Sequence, residues 1–593
     1  MSAFPPSVVG VQTAVPAFIG YTQKAEISGK PVYMKPIKIG SLADFEEIFG
    51  FGYEPTYLIK AATDKQIADR TYDFQVLKNG TDIEPEELYY TLQPKETAQF
   101  NLHNSLRLFY ANGGGNCYVV SVGRYKSAQE SAELAKAEAQ QKAETSKSRE
   151  SAARSRAVAA RKEAAKSDNP EARAAAEAKA AEADAEADQA ATDAIPTPVS
   201  SVKLQDLLDG LAVIRDQSGP TMLVVPEGVL LPGSDPAKLY VSSDFGTLVQ
   251  KMLEQCAALQ DRVAVLDVYG SDYATKTNLE DLESVFRAEV GQNFLNYGMS
   301  YFPFLYTNIV GVGEYTYENL DKDATPSTIQ DILGWENYNL YFDKKNPAGD
   351  GGKRYVSVKQ QIDNMYNPGD ISETVDSLNQ NLTVSLPLLA DIERILTAKN
   401  DTLPPSPAMA GIYTFVDATR GVWNAPANIS LSSVVRPTFK VDDGQQADLN
   451  MPIEGKAINA IREFTGRGTL VWGARTLDGN SNDYRYIQVR RTLIYIEQSI
   501  KAAINGFVFA ANDGNTWVTI TAMVSNFLQD LWARGGLMGA TASEAFDVQC
   551  GLGSTMTPTD ILQGYMIVQV RVQLLRPAEF IELTFKQKME GIS

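Results

Sequence analysis

Gly411-Ile-Tyr-Thr-Phe-Val-Asp-Ala-Thr-Arg-Gly-Val-Trp423 opens the stretch that decides the fold, which continues to residue 551. Tryptophan and arginine recur throughout this stretch, as in Leu470-Val-Trp-Gly-Ala-Arg475. Apolar residues also recur every three or four positions in two runs that begin at Leu493 and at Trp517. Because this spacing puts apolar side chains on one face of a helix, we predict two amphipathic helices that pack into a domain.

Upstream of this stretch, short apolar segments alternate with segments of helical periodicity. The pattern predicts strands over 117–122, 222–225, 263–266 and 301–305, and helices over 102–111, 203–214, 245–259 and 278–290. Apolar strands that alternate with helices are typical of a mostly parallel sheet covered on both faces. We therefore expect a multidomain protein of the α/β and α+β classes.

Local signals predict the ends of several elements. Ser41 is a suitable N-cap and Gly50 a suitable stop for a short helix that follows a strand over 32–39. Ser327 and Gln330 have the spacing of a capping box, and Gly334 is expected to end the helix that follows.

Composition divides the chain into three regions. We expect an N-terminal arm over 1–24, an α/β domain over 25–403 and a C-terminal domain over 404–593, because Leu403-Pro-Pro-Ser-Pro-Ala408 is typical of a domain boundary. The α/β domain is expected to carry two insertions, a helical hairpin over 126–196 and a surface elaboration over 311–403.

The first insertion is rich in alanine and charged residues and has no aromatic residue, so it lacks the material for a core. Strong helix formers favour two exposed helices over about 127–166 and 170–193. A partly disordered linker and a partner-binding coiled coil remain alternatives.

Charge and cysteine content restrict the classes of partner and compartment. A net charge of −19 argues against nucleic acid, which requires clustered Lys and Arg. Three widely spaced cysteines predict free thiols in a reducing compartment. The absence of an apolar run of about 20 residues predicts a soluble product of the cytoplasm that does not insert into a membrane.

No catalytic, cofactor-binding or metal-binding residue is expected. The single histidine, His103, has no local nucleophile or carboxylate partner, and we interpret it as a core or capping residue. Gly113-Gly-Gly-Asn116 lies between a helix and a strand, the reverse of the order in phosphate loops. Asp321-Lys-Asp323 begins like a calcium loop, but Pro326 occupies the position that requires glycine.

Both ends of the chain favour extended backbone. Near the C-terminus, apolar and other residues alternate as in a half-buried strand, which predicts an inter-subunit strand formed by Phe580, Ile581, Glu582, Leu583, Thr584 and Phe585. Near the N-terminus, the prolines and valines predict an extended arm that needs a partner edge, with Val8, Val9 and Val11 as its candidate residues.

The succession of motifs in 404–593, together with 5–25, 30–50 and the region of Asn112-Gly-Gly-Gly-Asn-Cys-Tyr-Val-Val, resembles contractile tail sheath proteins. The 5–25 segment is most similar to sheaths of extracellular, phage-tail-like contractile injection systems. A bacteriophage tail sheath is the alternative function, and a large α/β enzyme is a remote third.

The resemblance implies a structural subunit without enzymatic activity. Such subunits stack in rings of six around an inner tube protein, meet a baseplate and a terminal cap protein, trade terminal strands, and contract once to drive the tube through a target envelope. It implies assembly in the cytoplasm and, for an injection particle, release outside the cell.

The resemblance also implies that 404–593 is an inner, conserved sheath domain that faces the tube and that 25–403 is an outer domain. Lattice contacts are therefore expected among the arginines and aromatic residues of the inner domain. The candidates for contact with a neighbouring subunit or the tube are Arg420, Trp423, Arg475, Arg490, Arg491 and Glu497. Arg490 and Glu497 lie seven positions apart on one helix face, so we predict an ion pair between them, within or between subunits.

Overall fold

The computed structural model describes residues 7–81, 83–95, 100–125, 202–323, 326–343, 345–346, 349–366 and 374–579. Its strands, in chain order, are β1 Pro16–Thr22, β2 Glu26–Ile27, β3 Lys30–Pro31, β4 Ile37–Ile39, β5 Tyr57–Ala61, β6 Phe74–Gly80, β7 Ile83–Pro94, β8 Cys117–Arg124, β9 Met222–Val224, β10 Val263–Asp267, β11 Gly298–Phe302, β12 Leu305–Thr307, β13 Thr402–Leu403, β14 Val434–Pro437, β15 Asn459–Phe464, β16 Gly468–Trp472, β17 Phe546–Gln549 and β18 Gln569–Val572.

The α-helices are α1 Leu42–Phe49, α2 Asp64–Ala68, α3 Leu102–Ala111, α4 Leu204–Arg215, α5 Ser243–Leu259, α6 Leu279–Glu289, α7 Ile329–Tyr341, α8 Asp350–Asn364, α9 Val375–Ser385, α10 Pro387–Asn400, α11 Ser406–Thr419, α12 Asp443–Asn450, α13 Ile487–Ile504, α14 Gly514–Ala533, α15 Ala542–Ala545 and α16 Pro558–Leu562. Within the described residues, no helix is long and apolar enough to cross a bilayer.

An eight-stranded sheet organises the first and largest core. Its strand order is β16-β15-β11-β10-β9-β1-β8-β4, and its six central strands run parallel while β4 and β16 lie antiparallel at the two edges. The expected alternation of buried strands with α3, α4, α5 and α6 is confirmed. The helix predicted after Ser41 is confirmed as well, with Ser41 and Asp44 forming a capping box and Gly50 ending it at a φ of 83°.

The N-terminal segment differs from its prediction as a separate arm over 1–24. Residues Pro16–Thr22 form β1, which lies between β8 and β9, pairs in parallel with both and is buried along its whole length. Extended backbone was predicted correctly, but the partner edges belong to the same chain. A strand with two covered faces and two paired edges is part of the core, which restricts any arm to the residues before it.

The boundary expected between 403 and 404 does not separate cores. α11 contributes Ala408, Met409 and Tyr413 to the first core, and β15 and β16 extend its sheet beyond β11. The division of the cores falls inside α13, since Ile494 packs in the first core and Ile496 in another. Residues 404–494 therefore fold with the α/β domain.

A second core joins two segments that are distant in sequence. The three-stranded sheet β5-β7-β6 packs against α7, α8, α9 and α10 and buries, among others, Tyr57, Tyr90 and Ile332. Residues 311–403 therefore have a core of their own together with 57–94, which is more than the surface elaboration expected for them.

The predicted start and end of the helix in this region, α7, were both wrong. Thr328 caps α7 with Asp331, one position after the predicted box at Ser327 and Gln330. Gly334 lies in the middle of α7, because packing against the second core holds the helix together through Tyr341.

The strand predicted over 301–305 is divided. Gly298–Phe302 belongs to the main sheet, whereas Leu305–Thr307 pairs with β13 and β14 in a separate sheet. The hairpin expected over 126–196 and the strand expected over 580–585 lie outside the described residues.

A third core forms a C-terminal module. Ile496 and Ile500 of α13 pack against Ile520, Val524 and other residues of α14, as the apolar spacing predicted. The antiparallel pair β17-β18 covers this core with Phe546, Val548, Val570 and Val572. Because α13 extends from the first core into the third, one continuous helix connects the two.

Candidate assembly surfaces

Buried carboxylates of the first core hold backbone in place. The carboxylate of Glu227 accepts hydrogen bonds from the backbone N–H groups of Tyr21, Asn101 and Leu102 at 2.7, 3.1 and 3.2 Å. Burial raises the pKa of Glu227 to about 8. It therefore joins β1 to the start of α3.

Asp267, at the end of β10, is a second buried carboxylate that holds backbone in place. Its carboxylate accepts hydrogen bonds from the N–H and the hydroxyl of Ser406 at 2.7 and 2.6 Å, and burial raises its pKa to about 7. Glu227 and Asp267 thus accept hydrogen bonds from backbone N–H groups and a serine hydroxyl that hold neighbouring elements of the fold together. Across the described residues, no group of three or more His, Cys, Asp or Glu side chains could hold a metal ion.

Arg491 forms a buried ion pair. Its Nη2 and Nη1 atoms lie 2.6 and 2.9 Å from the two carboxylate oxygens of Asp417, and the guanidinium also lies over the ring of Tyr413. Nη2 donates a further hydrogen bond of 3.2 Å to the carbonyl of Thr13. Arg491 thereby ties α13 to α11 and to the segment before β1, and only 3% of its side chain is exposed.

Arg475 pairs with the end of the described chain. Its Nη2 and Nε atoms lie 2.6 and 2.8 Å from the two carboxylate oxygens of Glu579. Tyr486 donates its hydroxyl and Asn450 its amide to the same carboxylate at 3.0 and 2.7 Å. Both arginines are therefore bound inside their own subunit.

Arg490 is buried without an anionic partner in contact. Its guanidinium lies 3.9 Å from the ring centre of Tyr297 and 5.1 Å from that of Tyr484, and burial lowers its pKa. No direct ion pair within 4.0 Å joins it to Glu497 among the described residues, but the charge of Glu497 opposes the lowering of the pKa of Arg490. A direct pair, within or between subunits, stays a prediction. The aromatic faces also stabilise the cation.

The remaining lattice candidates are accessible. Arg420 is exposed at the end of α11, and Glu497 is exposed on α13. Trp423 is half-buried beside the third core, with the guanidinium of Arg534 over its ring. In this conformation Arg475, Arg490 and Arg491 are withdrawn from the surface, which leaves Arg420, Trp423 and Glu497 as candidates for contact.

The segment before β1 lies on its own subunit. Val8 packs beside the third core, the N–H of Val11 donates to the hydroxyl of Ser499 at 3.1 Å, and Val9 is 75% exposed. The carbonyl of Thr13 accepts from Thr221 and Arg491. The expected arm is thus fastened from Val11 onward, and sequence reasoning missed these partners because they lie more than 200 positions away.

The sheet of the C-terminal module has two open edges. β17 pairs with β18 from Phe546–Val572 to Gln549–Gln569, and the structure places no third strand on either side of this sheet within its described residues. One face is apolar and packs on α14, while the other carries Asp547 opposite Arg571. Open edges of this kind accept an added strand.

The same module exposes large apolar side chains. Eight of them have at least two fifths of their surface exposed: Val508, Phe509, Val518, Met538, Leu552, Leu562, Tyr565 and Ile567. Exposed apolar residues concentrated on a small module are typical of a surface that meets a partner.

Comparison with known proteins gives three results. Residues 480–588 match the phage tail sheath C-terminal domain. The tail sheath protein of Vibrio phage KVP40 is 20% identical over 188 residues, which is 32% of this chain and 27% of that protein. A prophage major tail sheath protein of Pseudomonas aeruginosa strain UCBPP-PA14 is 24% identical over 182 residues, or 30% of this chain and 44% of that protein. The matches thus span less than half the length of these curated relatives.

The fold is similar over a greater length. The sheath complex of an extracellular contractile injection system, PVC, in its contracted state superposes with a TM-score of 0.50 and 22% identity, covering 99% of this chain and 95% of that chain. At this identity the similarity shows a shared fold.

Proposed function

Since this chain carries the C-terminal domain of the phage tail sheath family and has the fold of a contractile sheath subunit along its length, we propose that it is the sheath subunit of a contractile injection system. The observation that carries the proposal is the sheath domain over 480–588, which coincides with the module that has open sheet edges and exposed apolar residues. Subunits polymerise around an inner tube and contract to drive it through a target envelope.

A bacteriophage tail sheath is the second candidate. It is favoured by the two curated relatives, which are sheath proteins of a phage and of a prophage. The fold similarity over 99% of the chain to an injection-system sheath favours the first candidate. Both functions need the same self-association and the same contraction, so they differ in the particle that the sheath belongs to.

Self-association is proposed to use the open edges of β17-β18. The sequence 580–585 alternates so that Ile581, Leu583 and Phe585 share one face and Glu582 lies on the other. When a second copy donates a strand with this pattern, its apolar residues extend the face of the β17-β18 sheet that packs on α14. Its polar residues extend the opposite face of that sheet.

Charge favours one edge over the other. Glu582 of the donated strand lies on the polar face, where Arg571 of β18 lies 3.7 Å from Asp547 of β17 and keeps 63% of its side chain exposed for a second carboxylate. Opposite charges on neighbouring strands stabilise a sheet and like charges destabilise it. We therefore assign the donated strand to the edge of β18.

Contraction requires no nucleotide hydrolysis by this chain. The extended sheath is a metastable array, and each subunit that repacks releases a few kcal/mol, as interfaces with two discrete arrangements do. Many subunits that repack together deliver a concerted stroke. The net charge of −19 opposes close packing only at short range, because charges are screened beyond about 8 Å at physiological salt.

The proposed partners are further copies in stacked hexameric rings, the inner tube protein, a baseplate and a terminal cap protein. Assembly takes place in the cytoplasm, and the finished particle acts outside the cell that made it.

The test is co-expression with an inner tube protein from the same organism, followed by electron microscopy. Extended or contracted cylinders of uniform width are expected. Monomers alone, with tubes left uncovered, would contradict the proposal. Purified particles with a capsid would identify a phage tail, and particles without one an injection system.

A further inference from the structure

Glu579 is the last described residue and the one immediately before the predicted strand 580–585. Its carboxylate receives four hydrogen bonds, two from Arg475 at 2.6 and 2.8 Å, one from Asn450 at 2.7 Å and one from Tyr486 at 3.0 Å. A carboxylate held by a bidentate guanidinium and two further donors is fixed in position and orientation.

The receiving side of this contact is itself rigid. Arg475 Nη1 donates to the carbonyls of Asn450 and Gly479, and the backbone of Arg475 exchanges two hydrogen bonds with the side chain of Asn459 on β15. Arg475 is 3% exposed. The site for Glu579 is therefore formed by the edge of the main sheet and the loops that follow it.

The chain passes from the third core to the first core between β18 and Glu579. β18 ends at Val572 in the third core, and seven residues later Glu579 is bound to the body built on the first core. Seven residues span at most about 25 Å, so the segment is a short tether between the two bodies. Glu579, the residue before the predicted strand, is therefore bound at the first core, whereas β18 belongs to the C-terminal module.

We infer that Glu579 is a positioning residue that fixes the origin of the C-terminal strand on the main body, so that the strand reaches a neighbouring subunit from one defined point. The inference rests on the proposed function, because it assumes that residues 580–585 are donated to a second copy. A fixed origin limits the directions and registers that the strand can sample, which lowers the entropy cost of docking. Without it, Glu579 would be free to move relative to the first core by the full length of the tether from Val572.

The test begins with the purified full-length subunit before any tube protein is added. We expect Glu579→Gln to speed hydrogen–deuterium exchange at least tenfold in the receiving site, where the amides of Arg475, Thr476 and Gly479 donate hydrogen bonds to other parts of the chain. Without the carboxylate the buried Arg475 loses its counter-ion, so this site opens more often, while exchange in α14 stays as in the wild type. Glu454→Gln is the matched control, since Glu454 is exposed and precedes Gly455, whose carbonyl accepts from Gly479 of the site. Unchanged exchange at 475–479 in Glu579→Gln would overturn the anchor.

A milder variant covers the case in which Glu579→Gln misfolds. Tyr486→Phe removes one hydrogen bond to Glu579 and leaves the ion pair with Arg475 intact. We expect a smaller, two- to fivefold acceleration confined to the hydrogen-bonded amides of 475–479. Wild-type exchange in this variant together with global unfolding of Glu579→Gln would show that the contact serves folding alone and would overturn the inference.

The second arm of the test measures assembly with the tube protein. We expect Glu579→Gln to reduce the number of full-length sheaths several-fold and to broaden their length distribution, while Glu454→Gln assembles normally. Faster exchange at 475–479 with normal sheaths would refute the positioning role and leave the proposed function standing. Failure of the wild type to form sheaths would refute the proposed function, and the exchange experiment would still decide whether Glu579 is anchored.

Discussion

The ion pair between Arg491 and Asp417 provides the sharpest test of how the arginines of this protein should be interpreted. Sequence alone made Arg491 a candidate lattice contact, whereas the structure buries it against Asp417, Tyr413 and the carbonyl of Thr13. We expect Arg491→Gln to destabilise the isolated subunit. An effect on assembly should follow only as a consequence.

The expected magnitude follows from burial. The side chains of Arg491 and Asp417 are 3% and 5% exposed, so removal of the arginine leaves a carboxylate without a counter-ion in the interior. Breaking such a buried pair costs about 3–5 kcal/mol. For a cooperative unit of 150–250 residues, this lowers the melting temperature by about 6–20 °C.

Differential scanning calorimetry of the purified subunit measures the effect. Arg420→Gln is the matched control, because Arg420 is exposed on the same domain and its replacement should change stability by less than about 0.5 kcal/mol. The double variant Arg491→Met/Asp417→Leu should recover much of the loss, since an apolar pair of similar volume avoids the unpaired charge. Equal melting of Arg491→Gln and Arg420→Gln, with defective sheaths only in the former, would refute the structural role and restore Arg491 as a lattice contact.

Four further predictions concern assembly and pH. Arg571→Glu or Glu582→Arg alone should reduce sheath yield, and the two together should restore it because the opposite charges face each other again. Each contact is worth only about 0.2–1 kcal/mol but recurs in every subunit. Additive loss in the double variant would exclude the β18 edge. Burial raises the pKa of Asp267 to about 7, so the folded state loses stability as pH rises from about 4 to 7, where the unfolded chain ionises and the folded chain does not. Asp267→Asn removes this loss and should raise the free energy of unfolding at pH 8 by up to about 4 kcal/mol, with little effect at pH 4. Parallel stability–pH curves from calorimetry would contradict this. Deletion of 580–593 should leave a folded subunit that forms no sheath, and deletion of 578–593 should also lower its melting temperature, since it leaves Arg475 unpaired; sheaths of normal length from the shorter deletion would exclude strand exchange. Excision of 127–193 should leave assembly intact by electron microscopy, and its loss would give that insertion a structural role.

Much of the α/β framework could be predicted from the sequence. The strands at Cys117, Met222 and Val263 and the helices between them follow from runs of apolar residues and from helical periodicity, which depend on neighbours in the chain. The helix after Ser41 was predicted with both of its ends, because a capping side chain and a glycine stop act within one turn.

The partners of the candidate site residues could not be predicted. Arg491 meets Asp417 across 74 positions and Arg475 meets Glu579 across 104. No local pattern distinguishes these arginines from the exposed Arg420, because burial is set by what packs around a residue. The acidic partners, and the tyrosines that cover Arg490, carry no signal of their own in the sequence.

The sequence by itself determined the classes of element, the absence of a recognisable catalytic motif, and the alternation of apolar and other residues over 580–585, since each depends on residues within a few positions of one another. Only the tertiary structure decided that Pro16–Thr22 is a central strand, that the cores divide inside α13, and that Glu579 pairs with Arg475. The physical reason is that strand pairing and buried ion pairs are formed by groups brought together across hundreds of residues, and their free energy exists only after the chain has folded.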